Sequence, residues 1–139
     1  MHLRPFHLAI PVDNLNAART FYGELLGCTV GRESSRWIDF DFFGHQVTVH
    51  QSASHPGDAG ANEVDHQRVP VPHFGIILEW HQWQGLAERL RQQAVVWVME
   101  PKIRFAGQVG EQATFFIRDP AGNVLEFKAF RDDSQIFAH

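Results

Sequence analysis

Cysteine is almost missing from this chain: Cys28 is the only one in 139 residues. No internal disulfide can form, and a reducing, cytoplasmic setting is the expectation. Long hydrophobic runs are missing too. The stretch AVVWVM at 94–99 is far too short to cross a bilayer, and the opening MHLRPFHLAIPV mixes charge with its apolar residues in a way no signal peptide does. A membrane is therefore not an expected partner. Nor is nucleic acid, because a net charge of −4 with interspersed signs provides no clustered Lys and Arg face for a phosphate backbone.

What the chain does have is histidine, nine of them, beside 12 Phe and 4 Trp. Its length suits one ordinary domain or two small modules sharing a core. An internal repeat favours the modules. RPFHLAIPV near the start and PVPHFGIILE in the middle align His7 with His73, each in a short apolar run that reads as a β-strand. DFFGHQVTVHQ (41–51) lies over DPAGNVLEFKA (119–129), so that Asp41 falls on Asp119, Gly44 on Gly122 and Thr48 on Glu126. One half offers a hydroxyl where the other offers a carboxylate, leaving His7, His73 and Glu126 as three good metal donors.

Between these anchors the pattern predicts β-α-β-β-β twice. After the first strand, Asp13 or Asn14 caps a helix whose apolar stripe is Leu15, Ala18, Phe21, Tyr22, Leu25 and Leu26, and Gly27 stops it. Strands are expected near 28–33, 36–43 and 45–51. Residues 53–69 carry no sustained apolar period and read as a linker between a first module (1–52) and a second (70–130), with 131–139 as a tail. The second module repeats a strand, a helix near 82–93, the strand AVVWVM, a loop containing Pro101 and Arg104, and two final strands around the Asp119–Gly122 turn. The fold class is α+β, two βαβββ modules forming a half-open, cup-shaped mixed sheet with helices outside. Strand alternation then points Glu126, Val124 and Lys128 inward, and Gln46, Thr48 and His50 with them.

The opening HLAIPVDNLNAARTFYGELLGC, the central VPHFGIILE and the closing FFIRDPAGNVLEFKAF resemble the vicinal oxygen chelate superfamily, which holds glyoxalase I, extradiol ring-cleaving dioxygenases, fosfomycin-resistance enzymes and bleomycin-binding proteins. The likeness covers nearly the whole chain, and DPAGNVLEF is its most specific piece. It implies His7, His73 and Glu126 as ligands of a divalent cation, with Thr48 where glyoxalase I carries a fourth ligand. Two histidines and one carboxylate look like the extradiol dioxygenase set and suit non-haem Fe(II), although Mn(II), Ni(II) or Zn(II) fit the same donors. His50 is the candidate acid or base. Thr48, Gln46, Phe116, Lys128 and Arg104 are candidates for touching a small-molecule substrate. The extradiol pattern has a tyrosine where this chain has Phe116. The resemblance leaves three functions open: a dioxygenase, a glyoxalase-like isomerase, lyase or epoxide-opening enzyme, and a non-catalytic binding protein. It also implies a homodimer.

Overall fold

Alternating apolar and polar positions produce the strands β1 (His7–Val12), β2 (Thr29–Glu33), β3 (Trp37–Phe42) and β4 (His45–Gln51), joined in the order β1-β4-β3-β2 with β1 parallel to β4. One face is apolar: Ile10, Val12, Ile38, Phe40, Phe42, Val47 and Val49 are buried, and Tyr22 packs on Phe40 with ring centroids 5.4 Å apart. The computed structural model from which this is taken describes residues 2–53, 61–64 (backbone alone) and 67–139. It divides into two compact units, residues 1–57 with 119–123 and residues 58–118 with 124–139.

The helix between β1 and β2 starts where the capping residues predict, with the Asn14 side chain accepting from the Ala17 N–H at 2.9 Å. It is α-helical over α1 (Leu15–Ala18) and then widens into π-helical turns over Arg19–Leu25, where the Leu26 N–H reaches back to Phe21. The wider turn lets the adjacent residues Phe21 and Tyr22 both enter the core. Gly27, at φ 79°, ends it.

Part of the stretch read as a linker is paired. β5 (Ala61–Val64) and β6 (Gln67–Pro70) form an antiparallel hairpin, and Val69 is buried against Met99, Phe116 and Val124. Strands this short show too few residues for a period to register, and only packing inside the second unit reveals the buried valine.

The second unit repeats the first with β7 (Phe74–Leu78), α2 (Trp80–Arg91), β8 (Val96–Arg104), β9 (Gln112–Arg118) and β10 (Val124–Phe130), in the order β7-β10-β9-β8. Trp83, Leu86, Ala87 and Leu90 of α2 are buried, and the Trp83 indole N–H donates to the Phe127 carbonyl at 2.8 Å. Leu125, Phe127 and Ala129 thereby turn to the helix side, which leaves Val124, Glu126 and Lys128 on the other face. One expectation fails here. Pro101 lies inside β8, not in a loop, because β8 is an edge strand and its register shifts between Met99 and Lys102. The loop before β9 is thus shortened to 105–111, and Arg104 belongs to a strand end.

The repeat holds at the level of register. Ala9 pairs with Thr48 in the first unit as Gly75 pairs with Glu126 in the second. The chain is α+β, built from two βαβββ modules, and among the described residues no helix is long and apolar enough to cross a membrane.

Candidate metal centre

Glu126 sits mid-strand on β10, between Phe116 of β9 and Gly75 of β7. Gly75 has a steric reason to be glycine: a Cβ at that position would fall inside the Glu126 backbone carbonyl. The missing side chain lets β7 close on β10 and brings His73, one residue before β7, to the Glu126 carboxylate. His73 Nε2 lies 3.4 Å from Glu126 Oε1. The pair lines a cavity of about 220 Å³ together with Gly75, Ile77 and Lys128.

Both donors are held from behind. His73 Nδ1 is 2.8 Å from the Pro70 carbonyl, which can only accept, so Nδ1 carries a proton and Nε2 is the nitrogen turned to Glu126, where it can hold either a proton or a cation. Glu126 Oε2 accepts the Thr114 hydroxyl at 2.6 Å, and Lys128 Nζ stands 3.9 Å from the same oxygen. Oε1 is left to face His73. Two donors each about 2.1 Å from a shared cation are about 3.0 Å apart at right angles and about 3.4 Å apart at the tetrahedral angle, so the observed 3.4 Å lies at the tetrahedral end of the range for adjacent ligands of one ion.

The electrostatics agree with a site made for positive charge. Hydrogen bonding to Glu126 raises the His73 pKa above the ordinary imidazole value, against the opposing effect of burial. Burial would raise Glu126, but hydrogen bonds from His73 and Thr114 and the charge of Lys128 outweigh it and hold the carboxyl below its usual range. A cation can take the place of the proton that this pair favours.

The other candidates are distributed as follows. His7 is exposed at the start of β1 in the first unit, paired across to Gln46, itself exposed. Among the described residues no group of three or more His, Cys, Asp or Glu side chains converges on one point, so the structure joins two of the three expected donors. His50 is exposed near the end of β4, opposite Trp37 and Pro11. Phe116 is buried and meets the His73 ring edge-on with centroids 5.0 Å apart. Arg104 lies against the Phe105 ring, its guanidinium carbon 4.9 Å from the centroid.

Four participants escaped the sequence reading: Pro70, Thr114, Gly75 and Asp39. Asp39, on β3, accepts the Thr48 hydroxyl at 2.6 Å. Thr114 could have been found from the strand alternation that places it on the face of Glu126, and Gly75 from a glycine at the centre of an apolar strand. For Pro70 and Asp39 the sequence carries no signal.

The most specific motif turns out to build a turn. Asp119 is buried and its Oδ1 accepts the N–H groups of Ala121 and Asn123, while Oδ2 accepts the Tyr22 hydroxyl at 2.7 Å and the Asn123 amide at 2.8 Å. The Asn123 amide also reaches the Pro11 carbonyl at 3.0 Å.

Two βαβββ modules in one chain, the second with an imidazole and a carboxylate side by side, define a class of α+β folds. Within that class, a sequence model of the Glyoxalase/Bleomycin resistance protein/Dioxygenase superfamily matches residues 4–127, and the chain belongs to this superfamily. A solved glyoxalase/bleomycin resistance protein/dioxygenase from Alicyclobacillus acidocaldarius is 34% identical, with 96% of each chain covered and a TM-score of 0.80. The fold is shared with the fosfomycin resistance protein FosX of Listeria monocytogenes (15% identity, 98% and 100% covered, TM-score 0.67). It is shared as well with a lactoylglutathione lyase from Agrobacterium tumefaciens (15% identity, 96% of each chain, TM-score 0.63). No curated protein matches.

Proposed function

We propose that the chain is a metal-dependent enzyme whose substrate is a small molecule presenting two neighbouring oxygens. His7, His73 and Glu126 are its cation ligands and Fe(II) its preferred ion, with Mn(II), Ni(II) or Zn(II) compatible with the donors. The observation that carries this reading is the His73–Glu126 pair, 3.4 Å apart, with Nδ1 tied to Pro70 and Oε2 tied to Thr114. A bound ion would supply Lewis acidity and, as iron, dioxygen chemistry of the ring-cleaving kind. The chain's own residues do the rest. Lys128 offers an ammonium to a substrate oxygen, Phe116 and Ile77 exclude water beside it, and Thr48 and Gln46 are further substrate contacts in this proposal.

A second reading has a specific observation in its favour. Phe116 presents no hydroxyl, and it is packed into an apolar cluster with Val69, Met99 and Val124. An enzyme that opens, isomerises or eliminates without O₂ has less need of a phenol there. Metal analysis followed by assays of Fe(II)- and Mn(II)-loaded protein, with and without O₂, separates the two. Oxygen uptake with a catechol panel is the expected result. Anaerobic turnover of thiohemiacetals or epoxides would replace the first reading with the second, and a chain that neither takes up metal nor gains stability from it would leave small-molecule binding as the function.

The working form we propose is a cytoplasmic homodimer. Leu3, Phe6, Ile103, Val109 and Phe137 are exposed large apolar residues that a second copy could cover. Light scattering that returns the mass of one chain at micromolar concentration would contradict it.

A further inference from the structure

We infer that Asp39 takes up, through the Thr48 hydroxyl, the proton of a substrate O–H group bound beside His7 on the open face of the first unit. The inference deepens the proposed function and rests on a cation held with the help of His7. Thr48 is buried and its Oγ1 lies 2.6 Å from Asp39 Oδ1. A hydroxyl has one proton to give, and here it is given to Asp39. Toward the open face the oxygen can only accept. An O–H group of a bound substrate is the complementary donor.

The placement follows from register. Asp39, Thr48 and Ala9 form one cross-strand row, and Asp41, Gln46 and His7 form the next row on the same face. Ala9 contributes only a methyl group, so the floor between the His7 imidazole and the Thr48 oxygen is low. A molecule bound beside His7 therefore reaches Thr48 before it reaches His50, which lies one row further on, opposite Trp37.

Asp39 is also placed to release what it receives. It is half-buried and lines an open cleft of about 350 Å³ that includes Arg32, Asp41 and Gln46. Among the described residues its second oxygen meets only the Gln46 amide, at 3.5 Å, and the cleft gives water a path to it. The groups facing it are Asp41 on its own strand, Gln46 and His50 on β4, His7 on β1, and Gly31 and Arg32 on β2, where a Cβ at Gly31 would stand 3.6 Å from the Asp39 Cβ. None of the others donates to Asp39 at hydrogen-bond distance among the described residues. His50, by contrast, has no side-chain hydrogen bond among the described residues to fix its imidazole.

In the transfer the substrate O–H bond breaks and leaves its electron pair on the substrate oxygen. The proton forms a new O–H bond with Thr48 Oγ1 as the proton already there passes to Asp39 Oδ1. Asp39 ends as a neutral acid and returns the proton to product or to water. No oxidant or reductant takes part.

The test is the ionisation of 4-nitrocatechol added anaerobically to metal-loaded protein, followed by its absorption spectrum across pH, with metal content measured for each variant. Bound 4-nitrocatechol is expected to lose its protons at lower pH on the wild-type chain than on Asp39→Asn, with the midpoint raised by about one to two pH units in the variant. Thr48→Val should behave like Asp39→Asn, and Asp39→Glu and Thr48→Ser should restore the wild-type profile, which a merely structural hydrogen bond would not require. Unchanged midpoints in Asp39→Asn and Thr48→Val, or a shift produced by His50→Gln in their place, would overturn the inference. So would metal-loaded wild-type protein that leaves the probe protonated. Failure of the wild-type chain to take up metal would overturn the proposed function itself and this inference with it, and the metal measurement tells the two failures apart.

Discussion

The two units share a strand register and differ in what they hang on it. In the first, one cross-strand row reads Asp39, Thr48, Ala9; in the second the corresponding row reads Phe116, Glu126, Gly75. Each row holds one carboxylate, and in each unit a threonine hydroxyl donates to it at 2.6 Å. The carboxylate has moved by one strand. On β10 it stands beside His73; on β3 it stands behind Thr48. A duplicated scaffold thus presents the same functional group one strand apart.

The comparison can be broken most severely at Asp119 and Asp41, which the repeat makes equivalent. Asp119 satisfies four donors in a buried turn, whereas Asp41 accepts one exposed N–H, from Gly44 at 2.8 Å. Asp119→Ala is expected to cost about 4 kcal/mol in denaturant unfolding because several buried donors lose their partner at once, and Asp41→Ala about 0.5–1 kcal/mol. Equal losses would mean that the two turns are not as different as their hydrogen bonds indicate.

Gly75 comes next. Gly75→Ala pushes a methyl group into the Glu126 backbone and should cost about 2–3 kcal/mol while abolishing metal uptake, because β10 must move away from β7. A Gly75→Ala protein with wild-type stability and metal content would remove the steric account of the pair. A smaller effect is expected at Thr114. Thr114→Val keeps the shape but frees Glu126 Oε2, and metal affinity should fall about tenfold by calorimetric titration.

The smallest effect is the pH dependence of the metal-free chain. His73 has its pKa raised from 6.5, so its contribution is fully present below that value and is lost as pH rises through the folded-state pKa. Glu126 has its pKa lowered from 4.5, so its contribution is present above that value and is lost as pH falls through the folded-state pKa. The pair therefore stabilises most between about pH 4.5 and 6.5. His73→Ala should lower thermal stability within that window and remove the decline above it, and cation affinity in the unmodified chain should rise with pH as His73 gives up its proton.

Most of the fold was legible because it depends on local rules. Period-two alternation located the strands, Asn14 and Gly27 bounded the first helix, and the aspartate-glycine turns marked both hairpins. What escaped depends on contacts distant in sequence. Val69 discloses its strand only by packing on Met99 and Phe116, and Pro101 is tolerated in β8 only because that strand is at an edge. The site was half legible for a related reason. Laying 41–51 over 119–129 sets Asp39 opposite Ile117, on the wrong face. The β3–β4 turn, Phe43–Gly44, has two residues and the β9–β10 turn has five, so the sheet pairs Asp39 and Phe116 with equivalent partners instead. A one-residue slip in a strand exchanges its faces, and an overlay of sequence cannot detect it.

The central claim is that one divalent cation is gripped by His7, His73 and Glu126, and metal stoichiometry measures it directly. Protein reconstituted anaerobically with Fe(II) and desalted should retain one ion per chain, and His7→Ala, His73→Ala and Glu126→Ala should each lose it while remaining folded by circular dichroism. Retention of the ion by all three variants, or none in the unmodified chain, would contradict the account.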